Sequence, residues 1–396
     1  MQVFKDLSPQ LISNAFVAFL FAASGPVAII LSVGAGGRLT SEELSSWIFG
    51  VFIVNGLMTI YFCLKYRQPL AFFWTIPGTV LIGPALDHLT FPQVVGAFLA
   101  TGVFMAVLGM SGVVGRLMKA APMPIVMGMV AGVFMKFGLD WIGALRDDAA
   151  IAIPMTAAFI ALSAVPRLAK AMPPLIGALI VGVAAWGIAH GFDVEFGDSV
   201  AQVGLPTLQI PVFSLQAMIE LVVPLAITVL VVQNGQGVAV LKAAGHQPPV
   251  NAIATACGIG SIIAGMVGSA SSCLTGPVNA IISADGAKEK HYAAGVVVGL
   301  LALPFGLAAP IFTKFMLAAP AAFIASLAGL AMLRVLQMAF MTAFQGRFIF
   351  GALITFLVTV SDLTLFNIGA AFWGLVFGVI ASWLLERNDF KTLAEA

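Results

Sequence analysis

The sequence predicts an all-α polytopic membrane protein of about fourteen spans, arranged as a seven-plus-seven inverted repeat with the third and tenth spans broken. Three observations predict it. The chain is 61% hydrophobic and only 9% charged, with a mean hydropathy of +1.07, whereas soluble domains carry roughly 25% charged residues. A span needs ~20 apolar residues, so 396 residues hold about fourteen spans with short loops and leave no room for a separate soluble domain. Finally, two interrupted apolar segments, Pro69–Thr79 and Gly268–Asn279, recur about two hundred positions apart. Matched interruptions in two halves of a membrane chain point to a transporter's binding site.

Hydropathy and turn signals place spans at 11–33, 44–64, 69–86 (broken), 93–115, 123–145, 149–165, 172–190, 214–240, 250–267, 269–284 (broken), 291–312, 318–335, 347–361 and 367–385. Met1–Gln10 is short and polar and lacks a cleavable signal pattern. With the N-terminus inside, Lys5, Lys65, Arg67, Arg116, Lys119, Arg167, Lys170, Lys242, Lys288, Lys290, Arg334, Arg347, Arg387 and Lys391 fall on the cytoplasmic side, against Arg38, Arg146 and Lys314 outside. A missed span would scramble this positive-inside bias, so an even count with both termini cytoplasmic is expected.

The halves correspond locally. Pro26-Val27-Ala28-Ile29 matches Pro224-Leu225-Ala226-Ile227, Val95-Gly96 matches Ala294-Gly295, Val130-Ala131-Gly132-Val133 matches Leu327-Ala328-Gly329-Leu330, and Pro77 matches Pro277, all at offsets of 197–200. Seven spans per half is odd, so the second half enters from the opposite side and the repeat is inverted. The broken segments then send half-helices away from one another, from Pro77 and from Pro277, and their N-termini face each other near the midplane. Pro at a first helical position sacrifices an amide that is orphaned anyway. The remaining N–H groups and dipole ends favour an anion or a strong hydrogen-bond acceptor. Backbone that leaves the helix at membrane depth survives only when buried in protein or lining a cavity.

Candidate site residues follow from this geometry. Phe73 and Trp74 precede the first half-helix and suit the walls of a site for a flat ring, with Thr75, Ile76 and Gly78 at its start. Ser272, Leu274, Thr275, Gly276 and Asn279 supply the opposite wall, and Ser24 and Gly25 break the first span at its floor. Gln233, Asn234 and Gln236 put three amides into the otherwise apolar eighth span, where polar groups are costly unless they face the interior. Cys273 sits in the second broken segment, while Cys63 and Cys257 read as small packing residues with no metal or redox spacing. Glu220, near the outer end of the eighth span, is the candidate proton site. Lys136 and Asp140, one turn apart, read as a mutual ion pair or as snorkelling by Lys136. Asp285 and Asp362 read as loop residues, and His88, His190, His246 and His291 fall at or near loops; no metal set or cofactor is expected. A net charge of +1 without a basic patch gives no sign of a nucleic-acid partner. An enzyme would need an acid–base pair, a nucleophile with its base or a metal set at membrane depth, and none is found.

With the Phe72–Gly78, Gln233–Gly237 and Ser271–Pro277 motifs in place, the chain resembles the benzoate/proton symporter family, and more distantly the nucleobase–ascorbate transporters and sulfate permeases. The resemblance runs through essentially the whole chain and is most specific in Gln233-Asn234-Gly235-Gln236-Gly237 and Thr275-Gly276-Pro277. It implies a core domain of spans 1–4 and 8–11 (residues 1–120 and 193–315), and a gate domain of spans 5–7 and 12–14 (121–192 and 316–396). It also implies an inner-membrane importer of benzoate or a similar small aromatic carboxylate with a proton, and a homodimer. Nucleobase transporters typically carry Glu then His where this chain has Gln233 and Asn234, and Leu274–Ala280 holds no acid. Amides in place of a carboxylate suit an anionic ligand, and they remove the obvious proton carrier. The alternatives are a nucleobase or inorganic-anion permease of the same fold, and an anion channel.

Overall fold

The structure is a computed structural model that describes residues 2–165, 172–191, 204–284, 286–366 and 368–394; Arg167, Lys170 and Asp285 lie outside the described residues. A short α1 (Gln2–Asp6) leads into α2 (Pro9–Ala23) and α3 (Gly25–Gly36), which together form a first span broken at Ser24. α4 (Ser41–Tyr66) starts on a capping box between Thr40 and Glu43. Next come β1 (Phe72–Trp74), α5 (Ile76–Ala85), α6 (Phe91–Ser111), the short α7 (Val114–Ala120), α8 (Met123–Asp147), α9 (Ala149–Ala164) and α10 (Pro174–Ala189). The second half holds α11 (Leu215–Ala243), α12 (Val250–Gly265), β2 (Ser272–Leu274), α13 (Gly276–Ile282) and α14 (His291–Leu307). It ends with α15 (Ala309–Ala318), α16 (Ala321–Ala343), α17 (Ile349–Val360), α18 (Ala370–Leu385) and α19 (Arg387–Ala394). Prolines open many of these helices, including α2, α3, α5, α6, α10 and α13. Their missing N–H costs nothing there.

The predicted spans are recovered with two adjustments. The eleventh, expected at 291–312, ends at Leu307 and restarts as α15 after Ala308. Pro310 in the first turn of α15 has no N–H with which to continue the ladder of α14. The twelfth, expected at 318–335, runs to Ala343 because Arg334 lies on an exposed face of α16, bonding Gln337 one turn on, so its charge does not stop the helix. Of the two readings of Lys136 and Asp140, the contact ion pair does not form; both side chains are exposed on α8, which leaves Lys136 free to snorkel.

Packing repeats under a shift of seven spans. α4 lies along α14 as α12 lies along α6; α9 packs on α10 as α17 packs on α18; α8 meets α17 as α16 meets α9; and α8 and α16 pair with each other. Two of these crossings are glycine on glycine. A Cβ on Gly299 would stand 2.7 Å from the carbonyl oxygen of Gly56, and one on Gly258 would stand 2.7 Å from that of Gly102. Lipid gives helices no hydrophobic reason to associate, so close backbone approach through small residues supplies the dispersion contact that holds them.

Candidate functional site

The two halves meet in a two-stranded antiparallel sheet, with Phe72 opposite Leu274, Phe73 opposite Cys273 and Trp74 opposite Ser272. The pairing continues into both helix starts: Thr75 N donates to Ser271 O at 2.9 Å, and Thr275 N donates to Ala71 O at 3.2 Å. The strands are fully buried, so every backbone group needs a partner. Equivalent hydroxyls on α4 and α12 take the outer amides: Thr59 Oγ1 accepts from Phe72 N at 2.8 Å and Ser261 Oγ from Ser272 N at 3.0 Å. Asn279 closes the rest. Its Oδ1 accepts from Ala71 N at 3.0 Å, and its Nδ2 donates to Ala71 O at 3.0 Å and to Thr275 O at 2.6 Å.

Beside this sheet lies a small cavity of about 10 Å³, at most the room of one water, lined by Phe21, Ala22, Pro26, Phe73, Trp74, Ile76, Thr275 and Val278. Aromatic rings form its wall. Phe73 and Trp74 meet at 5.9 Å and 77°, and Phe52 backs them at 5.7 and 5.4 Å. The indole N–H of Trp74 is buried and has no hydrogen-bond partner. The two half-helix caps also differ. Thr75 Oγ1 accepts from Gly78 N at 3.1 Å, whereas the Thr275 side chain makes no capping bond. The lining holds no carboxylate and no basic side chain. The lining is therefore apolar and aromatic and includes a tryptophan whose indole N–H has no partner, a chemistry suited to a flat apolar body that carries an acceptor group.

The structure brings Phe73, Trp74, Ile76 and Thr275 together in this lining, and adds Phe21, Ala22, Pro26 and Val278, which the sequence reading left out. The Ser24-Gly25-Pro26 interruption was the available signal for Pro26, and Val278 follows directly on Pro277. Several other candidates work one layer behind. The Thr75 hydroxyl lies 3.2 Å from Thr228 Oγ1 on α11, and Gly78 is packed under Thr75, Leu225 and Thr228. Asn234 Oδ1 accepts from Leu274 N at 2.8 Å and touches Cys257, so it anchors β2 to α11. Gln233 is buried on the same turn. Gln236 is exposed and covers Gly276, and Gly237 lets α11 pass Leu274, whose side chain a Cβ would meet at 2.8 Å. Ser272 Oγ lies against Gly260 of α12. Cys273 is buried in the sheet and absent from the lining. Ser24 Oγ bonds Phe21 O at 3.1 Å, and Gly25 abuts Ala331 and Leu175, leaving no room for a Cβ. α11 contains two π-helical stretches, Met218–Val222 and Thr228–Gln233, one carrying Glu220 and the other ending at Gln233. Such bulges concentrate at functional positions.

Three histidine contacts were not legible as pairs, one of them His190 Nε2 with Asp148 Oδ2 at 2.9 Å. Glu220, 6% exposed, meets His88 Nε2 at 2.9 Å. His246 Nε2 lies 3.1 Å from His291 Nδ1, where the segment after α11 meets the start of α14. Burial, then the nearby charge of His291 and Lys288, push the His246 imidazole down to about 4, against a smaller opposing pull from Glu289. A histidine whose folded value lies below its unfolded value leaves stability intact above pH 6.5 and erodes it as the pH falls toward about 4. The melting temperature of the purified protein is therefore expected to fall over that window, and His246→Gln is expected to flatten the fall. An unchanged slope in the variant would remove His246 as its source.

The comparisons bear on the whole chain. A family model described as "Benzoate membrane transport protein" matches residues 5–384. The "Inner membrane protein YdcO" of Escherichia coli is 31% identical over 98% of this chain and 100% of its own length. The "Benzoate membrane transport protein" of Acinetobacter baylyi is 27% identical over 97% of both chains. Among solved structures, the transmembrane domain of the cyanobacterium bicarbonate transporter BicA superposes with a TM-score of 0.64 at 18% identity, covering 95% of this chain and 98% of that one. The murine Solute Carrier 26 family member A9 anion transporter in the inward-facing state gives 0.62 at 14%, covering 94% and 68%. These two share the fold, which is the seven-plus-seven inverted repeat read from the broken segments. With a family match across nearly its entire length, this chain is a multi-pass membrane transporter and belongs to the benzoate membrane transport family.

Proposed function

We infer that the protein imports benzoate or a similar small aromatic carboxylate across the inner membrane, with a proton, by moving a core of residues 1–120 and 193–315 against a gate of residues 121–192 and 316–396. The observation that carries this reading is the Trp74 indole: a buried, unpartnered donor in an aromatic wall, in a cavity free of acids. The ring packs on Phe73 and Trp74. The carboxylate takes the Trp74 N–H, the Thr275 hydroxyl and the positive ends of α5 and α13. Asn234 and Gln233 hold the second half-helix in place from behind, and Gly276 and Gly78 allow the backbones to close around the site. The seam between core and gate runs past Gly25, which touches Ala331 of α16 and Leu175 of α10 beside the cavity. The cavity's pinched state corresponds to a closed site that widens when the seam opens. Both termini face the cytoplasm in this reading, and a homodimer is expected.

The solved neighbours include a bicarbonate transporter, so a small inorganic anion is the competing substrate. Uptake of labelled benzoate into proteoliposomes, with and without an inward proton gradient and in the presence of uracil, sulfate or bicarbonate, separates the readings. Gradient-driven uptake blocked by unlabelled benzoate alone is expected. Transport of bicarbonate, sulfate or uracil with no benzoate uptake would overturn the aromatic-acid reading.

A further inference from the structure

We propose that His88 and Glu220 form the proton-loading pair of this transporter, placed at the far ends of the two elements that lead to the cavity; the proposal rests on the proton-coupled reading above. Glu220 is 6% exposed and His88 26%, so the carboxylate is sequestered while its imidazole partner touches water. An ionisable side chain buried in a span is costly unless partnered, and its retention marks a functional position.

The placement links the pair to the site mechanically. His88 follows α5, whose first turn contributes Ile76 to the cavity wall. Ten helical residues separate the two ends, about 15 Å of rigid rod. Glu220 lies on α11 thirteen residues before Gln233, and the next residue, Asn234, holds β2. The other face of the carboxylate meets the gate half. A Cβ on Gly369, the cap residue of the sixteen-residue α18, would stand 2.6 Å from Glu220 Oε1. An ionised Glu220 is thus held by His88 on one side and by the positive end of α18 on the other.

The surrounding elements hold little other charge. The start of α6 offers Thr90 and Gln93, which cap each other; Val223–Ile227 and α5 carry no ionisable group; Asp87 and Asp362 are exposed in the adjoining turns. Proton loading then runs in one direction. With the imidazole hydrogen on Nε2, a proton from outer water adds at Nδ1, the Nε2–H passes to Glu220 Oε2, an O–H bond forms, and His88 is left neutral with its hydrogen on Nδ1. The neutral carboxyl no longer attracts the end of α18, so core and gate part at that edge. After the core has moved against the gate, the carboxyl gives its proton back to water and the imidazole hydrogen returns from Nδ1 to Nε2 by exchange with solvent, which restores the starting pair.

Two measurements test this. Glu220→Gln keeps size and hydrogen-bonding capacity but cannot load a proton. It is expected to retain exchange of labelled for unlabelled benzoate in the absence of a gradient, and to lose gradient-driven accumulation. His88→Gln is expected to displace the pH profile of accumulation while exchange persists. Infrared difference spectra between acidic and neutral pH, which need no substrate, are expected to show a protonated-carboxyl band with one component that disappears in Glu220→Gln. Gradient-driven accumulation with an unaltered pH profile in Glu220→Gln, or a carboxyl band that loses no component on the substitution, overturns the proposal. A component that vanishes as expected in a protein that takes up no aromatic acid leaves the pair standing and refutes the substrate reading instead.

Discussion

Asn279→Ala is expected to destabilise the paired sheet by about 1–3 kcal/mol. One side chain satisfies Ala71 N, Ala71 O and Thr275 O in a fully buried sheet. Alanine would strand Ala71 N where no water reaches, at about 1–3 kcal/mol for a buried group left unpaired, while Ala71 O keeps Thr275 N and Thr275 O keeps the backbone N–H of residue 279. A loss of about 1–3 kcal/mol should appear as a drop in melting temperature of the purified protein, together with reduced uptake. Asn279→Asp restores only the acceptor and introduces a charge, so it should not rescue. A near-normal melting temperature in Asn279→Ala would mean that the sheet does not depend on this bracket.

Thr275→Asp is expected to abolish carboxylate binding while leaving the fold intact. Aspartate is as good a cap residue as threonine, and Thr275 begins α13 with its own side chain making no capping bond. The substitution therefore tolerates the backbone but places a negative charge in the cavity lining. Two like charges about 4 Å apart at an effective dielectric near 20 repel by about 4 kcal/mol, roughly a thousandfold in affinity. Benzoate binding by calorimetry should be lost, benzamide, its neutral counterpart, should be affected far less, and Thr275→Ser should bind normally. Equal affinity for benzoate in Thr275→Asp would place the carboxylate elsewhere.

Much of this was legible in sequence because membrane chemistry leaves few solutions. Thr-Ile-Pro-Gly and Thr-Gly-Pro each announce a helix start after an extended lead-in, and both do so in the structure. The aromatic lead-in at Phe73 and Trp74 became the cavity wall. Distance hid the rest. Asn279 reads as a polar residue aimed at a ligand, yet its partner is Ala71, 208 positions away, and only the strand register reveals that. Asn234 likewise spends its oxygen on Leu274. His88 lies in a turn, as its sequence suggests, but its partner 132 positions on was hidden. Polar side chains in a span must be satisfied, and a sequence alone does not tell whether the partner is substrate or backbone.

The sheet also sets a timetable for biogenesis. β1 ends the lead-in to α5 near residue 72, yet its pairing partner, residue 274, is made 202 residues later. At about 5–20 residues per second of synthesis, the ribosome needs roughly 10–40 seconds to supply it. For that interval the third span is in the membrane with an unpaired strand, and neither Asn279 nor β2 exists to complete it. The first half is thus a dependent insertion intermediate that must be sheltered, by the translocon or by its own helices, until the chain is nearly three-quarters complete.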